Sequence, residues 1–497
     1  MNPHPSIAIL FVLLTVGTCR ANWPQFRGPG GSGVATADQP PPVAFGAEKN
    51  LLWKTALPTG HSSPCVWGDR IFLTAYDPAR TKLETICIDR RSGKILWRRD
   101  AAADRIEKCH DIGSPASSTP ATDGKSVFVY FGSYGLLAYD FEGAVLWQKP
   151  LPIAKTFMGF GSGTSPILAD DRLIVDMHLD QESHLLAVRC KDGEALWKSP
   201  KPQFNGGWST PLVWREGPDD LVGILNAGRF AAHDLKTGDE RWWISGLPNQ
   251  ICATPVTADG LLFLTGTGVL GERENINLPP PFDEVLAKYD ANKDGKISTD
   301  ELPESLLFAD RKGSKGAGNM TLRRALLFGS DDKIKTFDRV EWGKMLEETT
   351  QFVKGDFMKT STLAVRLGGK QDATTTHVAW TELKGVPEVP SPLLYRNRLY
   401  YVKNGGVFTC RDARTGQALF EERLDASGGY YASPVASGGR IYTASDRGQV
   451  TVIEAADALK VVGRCDLNEP TMATPAIVER MLIIRSAGHL WAFGESK

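Results

Sequence analysis

Ser117-Ser118-Thr119-Pro120, Asp123-Gly124, Val127-Phe128-Val129-Tyr130, Gly135-Leu136-Leu137-Ala138-Tyr139-Asp140, Gly143 and Leu146-Trp147 form the stretch that decides the fold. It reads as four short strands. A Ser/Thr-Pro opens the first, and an Asp-Gly turn leads into an alternating, β-branched and aromatic second. The third is bounded by Gly and ends in Ala-x-Asp; a Gly turn then delivers a fourth strand carrying Trp. One such sheet cannot bury both faces, so it needs neighbours of its own kind.

The neighbours are present. The opening Pro or its equivalent recurs at Pro64, Pro120, Pro166, Pro211, Pro255, Pro392, Pro434 and Pro475, with spacings of 56, 46, 45, 44, 137, 42 and 41. A period just above 40 suits one four-stranded propeller blade, and helical periodicity is absent from these stretches. The second half of the unit recurs as Asp89-Gly93-Trp97, Asp140-Gly143-Trp147, Gly193-Trp197, Asp234-Gly238-Trp242 and Asp412-Gly416-Phe420. An aromatic at one position per blade reads as inter-blade packing rather than as a binding feature. Blade seven carries Val461-Val462 where the aromatic would stand.

The last repeat stops after His489-Leu490-Trp491-Ala492-Phe493 without a fourth strand, and Leu51-Leu52-Trp53-Lys54 has no blade of its own. The expectation is an all-β, eight-bladed propeller closed by the N-terminal strand, which leaves no open edge. Its parts are residues 22–272 (blades one to five) and 361–497 (the remainder), with 273–360 inserted in blade five.

Within the insertion the period changes. Phe282, Val285, Leu286 and Tyr289 fall on one helical face. Asp290-Ala291-Asn292-Lys293-Asp294-Gly295-Lys296-Ile297-Ser298-Thr299-Asp300-Glu301 follows and matches D-x-[DN]-x-[DN]-G-x5-E. Calcium is a hard cation that takes six to eight oxygens. Asp290, Asn292, Asp294, the Lys296 carbonyl, Ser298 (directly or through water) and a bidentate Glu301 would supply them, with Gly295 at the sharp turn. The segment resembles an EF-hand. Its expected partner is a dead loop over Gly329 to Glu341, with Ile334 opposite Ile297 and helices over Leu322–Phe328 and Phe337–Leu346. One Ca²⁺ per chain is the expectation.

The N-terminus runs from Met1 to Ser6, then through an apolar run from Ile7 to Val16, to Cys19-Arg20-Ala21. That is a signal-peptide pattern over residues 1–21, too short to span a bilayer, and it predicts a periplasmic or secreted protein. Gly17-Thr18-Cys19 is a poor lipid-attachment motif. Basic and acidic residues nearly balance, 57 against 58, so no nucleic-acid partner is implied. Beyond residue 21 stand Cys65, Cys87, Cys109, Cys190, Cys252, Cys410 and Cys465; with no CxxC and an odd count, they read as buried small side chains.

The Ala-x-Asp…Gly-x-x-x-Trp unit resembles the tryptophan-docking repeat of quinoprotein propellers. Asn22-Trp23-Pro24-Gln25-Phe26-Arg27-Gly28, Tyr130 to Leu136 and Ser391-Pro392-Leu393-Leu394 are similar to a family of exported PQQ-repeat propellers often likened to BamB. The resemblance implies a fold and, in the quinoprotein alcohol dehydrogenases, a quinone held under an adjacent Cys-Cys disulfide with calcium in the funnel. This chain has no adjacent cysteines. The favoured function is therefore a non-catalytic calcium-binding scaffold for a protein or glycan partner in the envelope. The alternative is a PQQ-dependent oxidoreductase. The sequence offers no catalytic residues, since no G-x-S-x-G or similar motif marks a nucleophile. Starts of first strands lie near a propeller axis, so His61-Ser62-Ser63, Cys109-His110-Asp111, Asn205-Gly206-Gly207-Trp208 and Gly429-Tyr430-Tyr431 are expected at one funnel mouth. His178 and His184 read as surface loop residues.

Overall fold

Each Ser/Thr-Pro motif supplies one link of a closed hydrogen-bonded ring around the axis. The Ser63 N–H donates to Thr119 Oγ1 at 2.9 Å, Thr119 to Ser165 at 3.0 Å, and Ser165 to Thr210 at 3.2 Å. Thr210 donates to Thr254 at 3.3 Å, Thr254 to Ser391 at 2.9 Å and Ser391 to Ser433 at 2.9 Å. Ser433 donates to Thr474 at 3.0 Å, and Thr474 closes the ring onto Ser63 at 3.1 Å. The following Pro holds each residue extended and has no N–H of its own. Every hydroxyl thus satisfies a backbone donor that no neighbouring strand reaches.

The computed structural model describes residues 21–36, 39–156, 159–179, 182–201, 207–268, 275–310, 319–327, 333–354 and 359–495. The expected signal peptide lies outside the described residues. Eight sheets of the expected order surround the axis. In blade two, Ala121–Thr122, Ser126–Phe131, Gly135–Asp140 and Val145–Pro150 form an antiparallel meander. Blade eight takes Leu51–Ala56 as its outer strand, antiparallel to His489–Phe493, with Trp53 opposite Ala492 and Ala56 opposite His489.

The repeat residues have local reasons. Asp140 Oδ1 accepts the N–H groups of Glu142 and Ala144, and Asp412 Oδ1 those of Arg414 and Thr415, so the Asp builds the turn between third and fourth strands. A β-bulge follows in all eight blades, as between Ala138 and Tyr139, and where the fourth strand carries an aromatic it re-aims that side chain. Opposite that aromatic stands a small residue: Ala138 faces Trp147, Ala187 faces Trp197, Cys87 faces Trp97 and Cys410 faces Phe420. That is why Cys87 and Cys410 behave as small apolar side chains. All seven described cysteines are free thiols.

Each tryptophan docks on the next blade. Trp147 Nε1 donates to the Cys190 carbonyl at 2.8 Å, and its ring lies against Gly193, where an added Cβ would approach it to 2.7 Å. Gly193 also has φ 72°, so both space and backbone require glycine. Trp97 repeats this with Phe141 and Gly143, and Trp197 with Leu235 and Gly238. Blade four departs from the pattern. Its outer edge is covered by Gln371–Asp372, paired parallel with Trp242 and Trp243, and Trp242 Nε1 finds no partner.

The insertion leaves blade five after Leu261–Gly266 and returns at Ser361–Arg366, which pair with each other. It has its own apolar core around Phe282, Val285, Ile297, Leu302, Phe308 and Trp342. The expected partner register needs correction. Ile297 pairs with Phe337 and Ser298 with Thr336, while Ile334 is exposed. Phe337 packs edge-on against the buried Trp342, centroids 5.8 Å apart, an apolar anchor that Ile334 lacks. The helices run Leu322–Leu327 and Arg339–Lys354, and Glu341 accepts the Asp338 N–H at 2.9 Å at the start of the second. Residues 328–332 of that loop lie outside the described residues. After Glu301 the chain joins a small sheet through Leu307–Asp310 instead of continuing as a helix.

Candidate functional site

The N-terminal run seals one end of the axis. Trp23 and Val66 exchange backbone hydrogen bonds in blade one, and the Pro24 carbonyl accepts Thr122 N–H in blade two. Arg27, fully buried, then donates to the Pro392 carbonyl of blade six at 2.6 Å, and Gly33 and Ala35 bond Ala436 of blade seven. Blades two and six face each other across an eight-membered ring, so residues 24–27 cross the axis. Phe26 sits at the crossing and lines the cavity above it. Burial pulls the Arg27 guanidinium down to about 9.

The cavity holds about 280 Å³ and is reached from the loops that enter the first strands. His61, Phe160, Trp208, Gln250, Glu388 and Tyr431 mark its wall, which loops of several blades build together. Among the described lining residues there is one carboxylate and no Lys or Arg. Phe160 and Trp208 meet edge-on with centroids 5.7 Å apart, and Trp208 Nε1 donates to the Gly161 carbonyl at 2.7 Å. Asn404 positions the acidic side, donating through Nδ2 to Glu388 Oε2 and accepting the Tyr430 N–H at 2.7 Å. Burial, with Arg485 nearby, lowers His61 to about 4, so its imidazole is neutral at pH 7.

Three of the four stretches expected at the funnel send a residue to this cavity, and the Cys109-His110-Asp111 stretch does not line it. His61, Ser63, Trp208 and Tyr431 line the cavity. His110 lies tilted against Phe160 with centroids 4.9 Å apart, and Cys109 lies against Gly161 with burial pushing its thiol up to about 12. Ser62 and Tyr430 are buried instead. Ser62 Oγ accepts from Arg485 Nη1 at 2.6 Å, which also donates to the Thr74 carbonyl at 2.6 Å. Asn205 and Gly206 lie outside the described residues. Phe26, Gln250, Glu388 and Asn404 were not expected. Gln250 and Glu388 precede Thr254 and Ser391 of the axial ring by four and three residues, an offset that could have flagged them.

His178 and His184 are corrected: both are buried, not surface loop residues. His178 Nε2 lies 3.2 Å from Asp176 Oδ2, and Lys201 Nζ bonds Asp176 Oδ1. Burial pushes the Asp176 carboxyl up, but Lys201 and His178 outweigh it and hold the group below the usual carboxylate range. Lys201 also reaches Asn226 of blade four at 3.4 Å, so this charged cluster fills an inter-blade space that apolar side chains fill elsewhere.

Glu107 is a second buried carboxyl beside the funnel. Burial raises it from 4.5 to about 7 against the hydrogen bonds of Ser162 N–H at 2.9 Å and Ser162 Oγ at 2.6 Å. The folded state therefore holds the proton more tightly than the unfolded chain. Its contribution is complete below pH 4.5 and is lost as pH rises through 7, about 3 kcal/mol in all. Urea midpoints of the wild type should fall across that window. Glu107→Gln, which keeps the acceptor for Ser162, should flatten the dependence; an unchanged pH slope would contradict the assignment.

In the insertion, Asp290 Oδ2 accepts the Gly295 N–H at 3.1 Å, while Asp290 Oδ1 is buried and has no partner. Asp294 Oδ1 accepts the Lys296 N–H at 2.8 Å. Gly295 has φ 78° and Lys293 φ 60°, the left-handed turns that curl the loop. Glu301 reaches back over the loop, accepting from Ala291, Asn292 and Ser298 N–H at 3.0, 3.3 and 2.8 Å. Among the described residues, no three His, Cys, Asp or Glu side chains converge on one point.

Several solved structures share the fold. BamB from Moraxella catarrhalis is 14% identical, with 90% of this chain and 99% of that chain covered and a TM-score of 0.51. A quinohemoprotein alcohol dehydrogenase from Pseudomonas putida HK5 is 11% identical over 96% of this chain and 81% of that chain, TM-score 0.51. A europium-containing methanol dehydrogenase is 11% identical over 96% and 98%, TM-score 0.51. At such identities the likeness is one of fold. No curated protein matches the sequence. The model of the family described as outer membrane protein assembly factor BamB matches residues 82–245 and 403–496, more than half of the chain, and the chain belongs to this family of PQQ-repeat propellers.

Proposed function

We propose that this is an exported, calcium-binding propeller that serves as a non-catalytic binding or scaffold protein in the cell envelope, holding a protein or glycan partner. The observation that carries the reading is the lining of the axial cavity. Pyrroloquinoline quinone bears three carboxylates, which would meet Glu388 and no Lys or Arg among the described lining residues. Arg485, whose charge acts on His61, is fully buried and committed to Ser62 and to the Thr74 and Pro58 carbonyls. The cavity does not fit that cofactor. The alternative, a PQQ-dependent oxidoreductase, is supported by the shared fold of the two dehydrogenases. Dye-linked oxidation of alcohols, aldehydes and sugars by the purified chain with added quinone and calcium should stay at background.

The calcium reading rests on the loop. Asp290, Asn292, Asp294, the Lys296 carbonyl, Ser298 and Glu301 would hold the ion, and the unpartnered Asp290 Oδ1 is a ligand without a role in the protein alone. Glu301 would exchange amide hydrogen bonds for the cation. Calorimetry should give one Ca²⁺ per chain, with a Kd in the range of about 10⁻⁴–10⁻³ M common to extracellular modules. Glu301→Gln should abolish binding; two equivalent ions, or binding that survives Glu301→Gln, would contradict the assignment. The apolar run Ile7 to Val16 supports the reading of export. Among the described residues no helix is long and apolar enough to cross a membrane.

A further inference from the structure

Because residues 24–27 cross the axis and Phe26 lines the cavity at that crossing, a ligand reaches the cavity from the opposite side and enters end first. At about 280 Å³ it is at the small end of ligand sites, the size of one ring rather than a peptide. The rings of Phe26, Phe160, Trp208 and Tyr431 are all partly exposed to it. Large aromatics left uncovered in a concave site are a standing source of binding energy.

The polar groups divide into two sets. The hydroxyls of Ser63, Ser391, Ser433 and Thr474 are spent on the axial ring. The Gln250 amide, the Tyr431 hydroxyl and the His61 imidazole make no hydrogen bond to another described side chain or backbone group, and all three line the cavity. They are neutral and can both donate and accept. Glu388, oriented by Asn404, adds a carboxylate acceptor and disfavours an anion.

Aromatic faces beside neutral two-way hydrogen-bonding groups and an acceptor-only carboxylate match one chemistry. A pyranose presents C–H bonds on its faces and hydroxyls, each donor and acceptor, around its edge. We infer that the axial cavity binds a neutral sugar ring, the terminal residue of a glycan. The inference rests on the reading of the propeller as a binding protein and names what its funnel holds.

The test is saturation-transfer NMR on the full-length mature chain with methyl α-D-glucopyranoside, methyl β-D-galactopyranoside and N-acetyl-D-glucosamine as probes, and D-glucuronate as the charged control. At least one neutral sugar should give saturation at its ring C–H protons. Trp208→Ala should weaken it about tenfold, the scale of a lost aromatic contact. Gln250→Ala and Tyr431→Phe, which remove polar atoms without opening the packing, should weaken it several-fold even if Trp208→Ala fails to fold. Glucuronate should bind more weakly than its neutral counterpart. Silence from all three neutral sugars, or saturation indifferent to these substitutions, would overturn the inference. Quinone titration of the same samples separates the two failures: quinone binding would overturn the scaffold reading, whereas silence toward both probes would overturn the sugar inference alone.

Discussion

Deleting residues 22–57 is expected to destroy the monomeric propeller. The segment supplies the outer strand of blade eight, whose removal exposes the edge of His489–Phe493 over five paired residues. It also removes Trp53, which docks on blade one by donating to the Arg90 carbonyl at 2.9 Å, and the crossing at Phe26 and Arg27. An unpaired edge of Leu490, Trp491 and Phe493 is a template for association with other copies. Size-exclusion chromatography should show aggregates, and a synthetic peptide of residues 22–57 added during refolding should recover soluble disc. A well-folded monomer from the truncated chain would refute the closure.

Trp147→Ala should cost about 3–5 kcal/mol, the usual price of truncating a large core aromatic. The loss has identifiable parts. The ring is nine-tenths buried against Gly193, packs near Phe128 with centroids 6.1 Å apart, and satisfies the Cys190 carbonyl. Gly193 cannot be refilled by a larger side chain at φ 72°, so the cavity would persist between blades two and three. Urea denaturation measures the difference; a change under 1 kcal/mol would contradict the docking role.

The blades were legible because each repeat residue answers a local demand that recurs. Pro64 and its successors mark strand starts, Asp140 builds a turn, Ala138 leaves room for Trp147, and these needs return about every 40 residues. Blade five, split by its insertion, was still readable because Leu261–Gly266 and Ser361–Arg366 keep the β pattern on either side. The pairing of Ile297 was less legible. Ile334 and Phe337 are both apolar, and only the burial of Trp342 against Phe337 distinguishes them. His178 escaped because it lies beside Asp176, whose partner Lys201 arrives from another strand and reaches on to Asn226 of another blade, and His184 because it opens a buried strand opposite Pro200.

The funnel was legible by halves. His61, Trp208 and Tyr431 stand close to their axial Ser or Thr, so propeller geometry alone brings them inward. Phe26 reaches the axis only because Pro24 and Arg27 are anchored on opposite sides of the ring, on blades two and six. Glu388 is placed by Asn404, which belongs to a turn farther along blade six. Contacts of that kind join residues whose sequence surroundings give no hint of one another.

The measurement that bears most directly on the account is calorimetric titration of the purified mature chain with pyrroloquinoline quinone in saturating calcium. The account predicts no binding heat and no quinone absorbance retained after desalting, because a tricarboxylate meets Glu388 and no Lys or Arg among the described lining residues of an aromatic cavity. Tight, stoichiometric binding would contradict it and assign the funnel to quinone chemistry.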